Sequence, residues 1–196
     1  MNIYFLVEGQ AELGVYPHWI DFLLDAKLQR CNDFTQVSNN HYFILEGGGR
    51  KMFNISNPTH NSIFNSIKDI AVHPVFDWLV LVVDSEHELT QDRINRIQTT
   101  ILGDPNCPHL PPNCQIKIII QNRCFETWLC GHQAFFAQAQ LSTNKNVKSF
   151  IDFYNVSEND PELMPKDTNP RLAHFSLAQY HANYLHHMLI PNNRIK

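Results

Sequence analysis

From Phe76 to Val83 the chain is almost continuously apolar, interrupted only by Asp77, and the run closes on Asp84-Ser85-Glu86. A strand that is apolar on both faces, instead of alternating, suits the centre of a parallel sheet covered by helices on both sides. The flanking sequence supplies the rest of such a sheet. Residues 2–7 read as a buried strand, and 12–28 as a helix with Tyr16, Trp19, Ile20, Leu23 and Leu24 on one face. Pro17 is tolerated in that helix if it lies in the first turn, where its missing N–H costs nothing. A polar stretch, 32–40, leads to a short strand at 42–45, and Ile63, Ile67 and Ile70 give 59–72 helical spacing ended by Pro74. After the central strand come a helix over 90–102, a strand over 115–121 and a helix over 125–138. Beyond these the pattern is helical, at 145–154 and again at 171–189, with a loop around 159–169. The order of elements predicts an α/β fold: a mostly parallel, Rossmann-like sheet with right-handed crossovers, flanked by helices. The expected organisation is an α/β domain over 1–140, with a helical C-terminal extension, 141–196, packed on the same domain.

Composition narrows the function classes. Of 196 residues 43% are apolar and 11% aromatic, enough to bury a core and to exclude disorder as the main state. Charged residues make up 17% and the net charge is −4, so the chain lacks the basic footprint of a stand-alone nucleic-acid binder. A polyanion would have to be met with the help of metal ions or a partner. The apolar opening Ile3–Val7 stops at Glu8, too short for a signal-peptide core or a membrane span. Five cysteines without a CxxC pair argue for free thiols in a reducing compartment, and hence for a cytoplasmic protein.

In a parallel α/β sheet the ligand site lies beyond the carboxyl ends of the strands. Here the first strand ends at Glu8, with Glu12 at the start of the following helix, and the central strand ends at Asp84 and Glu86. Carboxylates brought to one rim repel one another, and a hard cation such as Mg²⁺ or Mn²⁺ relieves that repulsion. The other reading is that they cap helices or face solvent independently.

Val7-Glu8-Gly9-Gln10-Ala11-Glu12, after an N-terminal strand, resembles the first motif of Toprim domains, VEG-x-x-E. Val82-Val83-Asp84-Ser85-Glu86 resembles their second motif, a DxD closing a later strand, with Glu in the second acidic place. Gln121-Asn122-Arg123-Cys124-Phe125-Glu126-Thr127-Trp128-Leu129 resembles the N-x-x-F-E-x-W segment of small Toprim proteins of the RloB, AbiL and OLD-nuclease group. The loop 47–51, Gly-Gly-Gly-Arg-Lys, is similar in place to their glycine-and-lysine loop. The resemblance spans residues 2–138 and implies a Toprim-like fold with metal-dependent phosphodiester chemistry. It implies that Glu8 is the acid/base glutamate or a metal ligand orienting water, and that Asp84 and Glu86 are the metal-binding pair. Glu12 and Glu126 fall on further acidic positions and would complete a second metal site, about 3.5–4 Å from the first in two-metal hydrolysis. The implied cofactor is Mg²⁺ or Mn²⁺, and the implied substrate a nucleic acid, DNA or RNA. The implied setting is bacterial anti-phage defence with a separately encoded ABC/SMC-type ATPase, a homo-oligomer being compatible. The rival readings are a non-catalytic Toprim-like regulatory or assembly subunit, and an RNase directed at tRNA or rRNA on the same fold.

Several residues carry two readings each. Arg50 and Lys51 suit a phosphate contact or a solvated turn. Arg123 could steady a scissile phosphate through bidentate bonds or pair with one of the acids. Glu126 could be a ligand or an acid favoured by its own helix dipole. Lys166 and His87 read as exposed loop residues before they read as a phosphate contact and a proton shuttle. His181, His186 and His187 lack the i, i+4 spacing of helical metal ligands, and Cys107, His109 and Cys114 offer no clear fourth ligand.

Overall fold

The computed structural model describes residues 1–140, 145–166, 172 and 174–189, the side chains of 137–140 excepted. The start of the expected last helix at Arg171 and the end of the loop around 159–169 lie outside the described residues. The chain divides into two compact units, Met1–Val83 with Gln91–Ile120, and Asp84–Thr90 with Gln121–Lys196.

The first unit is built on a five-stranded, all-parallel sheet: β1 (Ile3–Val7), β2 (Gln29–Cys31), β3 (His41–Glu46), β4 (Trp78–Asp84) and β5 (Gln115–Gln121), in the order β2-β3-β1-β4-β5. The α/β architecture read from the sequence is therefore the one observed. Every residue of β1 is buried, as is Leu79–Val83 of β4, which explains their unbroken apolar character. Val7 is in register with Glu46 on one side and Val82 on the other. Tyr4 anchors the core under the sheet, meeting Phe43 and Phe76 edge-on at 5.0 and 5.3 Å between centroids.

Three local readings are corrected. Helix α1 spans Gln10–Leu23, so Pro17 lies well inside it rather than in its first turn. The helix survives the lost N–H because Pro17 is itself buried beside Tyr16 and Ile20, and this packing outweighs the missing bond. Its end comes earlier than read: Asp25 and Ala26 take positive φ, 48° and 51°, and the Ala26 N–H returns to the Asp21 carbonyl at 2.8 Å, a Schellman closure. Leu23, expected on the buried face, is therefore exposed. The sheet also has a strand more than the four read from sequence, because β2 (Gln-Arg-Cys) is a short, polar edge strand without an apolar signature.

Helix α2 (Ser62–Val72) is capped by the Asn61 side chain, which accepts from the Phe64 N–H at 3.0 Å. Helix α3 (Thr90–Arg96) continues into a π turn, Ile97–Ile101.

The second unit is helical, with α4 (Phe125–Cys130), α5 (Gln133–Gln140), α6 (Lys145–Phe153) and α7 (Leu177–Leu189). The single helix expected over 125–138 is broken at Gly131, where a Cβ would stand 3.2 Å from the Pro161 ring, so the 3-10 turn Pro161–Leu163 packs closely at the break. The unit has a hydrophobic core of its own, in which Phe150 stacks on Tyr184 at 4.9 Å with Phe136, Val147, Tyr180 and Met188 around it.

Candidate functional site

The sequence-derived candidates fall into two groups, one in each unit. In the first unit Glu8 follows β1 directly, and Gly9, extended at φ −137°, is the N-cap of α1. Glu12 occupies the first turn of that helix and is 4% exposed, its carboxylate 3.1 Å from where a Gly9 Cβ would stand. That is the reach of a first-turn glutamate folding back on its own helix start, where the dipole favours a negative charge. The Glu8 carboxylate faces the Arg93 guanidinium at 3.9 Å, and both side chains are largely buried. Arg93 lies over the Phe53 ring at 4.4 Å, a cation–π contact.

The glycine loop is tied to the same strand end. Gly47 donates to the Val7 carbonyl and Gly49 to the Glu8 carbonyl at 2.9 Å, while Gly48 and Gly49 adopt φ of +73° and +57°. Those left-handed positions account for consecutive glycines there. Arg50 and Lys51 follow on the 3-10 turn Gly49–Phe53, and both are exposed, as either of their readings requires. Glu46, the last residue of β3, accepts a hydrogen bond from Gln10 and adds a carboxylate to this strand end that the sequence reading did not single out.

The second unit holds Asp84, Glu86, Arg123 and Glu126. The segments after β4 and β5 are bonded together: Ser85 N–H to the Gln121 carbonyl at 2.9 Å, Glu86 N–H to the Arg123 carbonyl at 2.7 Å, and Arg123 N–H to the Ser85 hydroxyl at 2.8 Å. Glu86 and Arg123 both have positive φ, 53° and 69°, conformations that are costly for such side chains and that the cross-bonding holds in place. Asp84 is half-buried, while Glu86 is exposed, 3.9 Å from the exposed His87 ring. Asp84 and Glu126 both act on the buried Cys124 thiol, whose pKa is pushed up first by desolvation and then by these negative charges. The two carboxylates therefore share one neighbourhood. The Nε of Arg123 is buried without a hydrogen-bond partner among the described residues.

The N-x-x-F-E-x-W segment has a structural logic of its own. Asn122 donates to one oxygen of Glu162 at 2.8 Å and the Trp128 indole N–H to the other at 3.0 Å. Behind it Thr127 meets the fully buried His181 ring at 2.8 Å. Glu162, Thr127 and His181 were not singled out as parts of this arrangement, because their partners lie far away in sequence. Lys166 is partly buried, shortly after the 3-10 turn.

Asp84, Glu86 and Glu126 are oxygen donors, the chemistry that a hard divalent cation requires. Among the described residues no group of three or more His, Cys, Asp or Glu side chains is gathered as a metal ion would need. The donor chemistry fits a cation of this kind, and among the described residues a complete ligand set is not assembled. All five cysteines are free thiols, and among the described residues no helix is long and apolar enough to cross a membrane. Comparison with protein-family models, with curated proteins and with solved structures finds no match for this chain.

Proposed function

We propose that this chain is a Toprim-like, metal-dependent nuclease, with Asp84, Glu86 and Glu126 holding Mg²⁺ or Mn²⁺, and Glu8 serving as general base or as the ligand that orients water. The observation that carries the reading is the strand order. From β1 the chain builds β2 and β3 on one side and β4 and β5 on the other, so the order reverses at β1 and β4. In open α/β sheets ligands bind outside the carboxyl ends of the strands at such a reversal. Glu8 follows the first of these strands and Asp84 closes the second.

A bound divalent cation would lower the pKa of a coordinated water and neutralise charge on the phosphoryl group. The residues supply the remainder. Glu8 accepts the proton of the attacking water, and Arg50, Lys51 and Arg123 offset the negative charge of the phosphodiester. The net charge of −4 is consistent with nucleic-acid affinity borrowed from a partner, which the motif resemblance makes an ABC/SMC-type ATPase in cytoplasmic anti-phage defence. DNA and RNA, including tRNA or rRNA, both belong to the substrate class.

The test is incubation of the purified protein with plasmid DNA and, separately, total tRNA, each with Mg²⁺, with Mn²⁺ and with EDTA, alongside Glu8→Ala and Asp84→Ala. Metal-dependent cleavage abolished in both variants is the expected result, and the substrate cut divides DNA from RNA. Cleavage that survives both substitutions would overturn the site assignment.

A further inference from the structure

Glu8 is held twice by one short piece of chain. Gly49, the first residue of the 3-10 turn Gly49–Phe53, donates its N–H to the Glu8 carbonyl at 2.9 Å. Phe53, the last residue of that turn, carries on its ring face the Arg93 guanidinium that pairs with the Glu8 carboxylate at 3.9 Å. Arg93 is 6% exposed, and its Nε has no hydrogen-bond partner among the described residues. A cation so deeply buried is expensive unless an anion faces it. It is also too enclosed to serve as a surface contact for a nucleic acid, unlike the exposed Arg50 and Lys51. Stacking on Phe53 removes the rotational freedom that a long side chain would otherwise keep, so the guanidinium is a fixed reference for whatever it pairs with.

We infer that Arg93 is a positioning residue for Glu8, and that the glycine loop with Phe53 and Arg93 forms a clamp fixing both the main chain and the carboxylate of that glutamate. This rests on the reading of Glu8 as a residue of the phosphodiesterase site. Arg93 acts through Glu8, so its loss lowers the rate of the chemical step and leaves substrate binding alone. Substitution of Phe53 acts the same way, because it releases the guanidinium while leaving the charge in place.

The experiment measures kcat and KM for the cleaved nucleic acid in wild type, Glu8→Ala, Arg93→Met, Arg93→Lys and Phe53→Leu, with circular dichroism melts to verify folding. The expected result is a fall in kcat of about 10- to 100-fold in Arg93→Met, the scale on which misplacement of a reacting group acts. KM should stay within about twofold, because a residue that acts only in the transition state leaves ground-state binding unchanged. Arg93→Lys should recover part of the rate, and Phe53→Leu should fall on the same side as Arg93→Met. Arg93→Met cleaving at the wild-type rate while Glu8→Ala is dead would overturn the clamp and leave the nuclease reading standing. A rise in KM at unchanged kcat would also overturn it, by making Arg93 a substrate contact. If Arg93→Met fails to fold, Phe53→Leu decides: a wild-type kcat in that variant overturns the inference. No cleavage by the wild type would overturn the nuclease reading, and the inference with it.

Discussion

The buried His181 ring sits between two partners, the Met164 carbonyl and the Thr127 hydroxyl, and its burial favours the neutral imidazole. The Met164 carbonyl, 3.0 Å from Nε2, can only accept, so Nε2 carries the proton. With the imidazole neutral, Nδ1 accepts a hydrogen bond from the Thr127 hydroxyl at 2.8 Å, and the same hydroxyl meets the Cys124 sulfur at 3.3 Å. Desolvation holds the His181 pKa below its ordinary value, and the Arg123 charge acts in the same direction, against the raising effect of the Met164 carbonyl. A histidine whose folded-state pKa is depressed contributes stability that is complete above its unfolded pKa, about 6.5, and is lost as pH falls towards the folded value. Denaturant unfolding across a pH series should therefore show stability declining below about pH 6.5. His181→Gln should make that decline shallower, with His187, also depressed by burial, supplying part of what remains. An unchanged slope in the variant would contradict the assignment. Arg93 belongs to this scale too. Its position four and eight residues before the buried Ile97 and Ile101 puts a cation on an apolar helix face, a signal legible in the sequence that announces a buried partner without naming it.

At the scale of elements, the turns that carry the acidic residues depend on bonds between distant segments. Glu162 joins the 3-10 turn Pro161–Leu163 to α4 by accepting from both Asn122 and Trp128. Glu162→Ala should cost about 1–3 kcal/mol by leaving two donors unpaired, measurable as a lower urea midpoint at unchanged m-value. The glycine loop makes a second prediction. A Cβ at Gly49 meets nothing within 4 Å, so the penalty of Gly49→Ala is the left-handed backbone alone, about 1–2 kcal/mol. A far larger loss would mean that the position tolerates no side chain for another reason. Strands with long apolar runs and the helix over 62–72 were legible because burial and capping are written locally. The break between α4 and α5 was not, because it depends on Pro161 packing at Gly131, thirty residues away in the chain. Pro17 misled in the opposite direction, since its burial, not its turn, decides that the helix continues.

For the whole molecule, the sequence order of strands and helices was sufficient for the α/β class, because parallel strands buried on both faces carry their own signature. Strand β2 escaped because a three-residue polar edge has none. Of the candidate site, the acidic residues at the strand ends were visible as sequence, whereas the partners that orient them (Arg93 for Glu8, Ser85 and Arg123 for the turn bearing Glu86) come from pairings that no local pattern encodes. Binding of a divalent cation by the second-unit carboxylates is measurable by Mn²⁺ titration followed by electron paramagnetic resonance. Wild-type binding of Mn²⁺ should be saturable, displaced by excess Mg²⁺, and weakened at least tenfold (about 1.4 kcal/mol) in Asp84→Asn. No binding, or equal binding by wild type and Asp84→Asn, would contradict it.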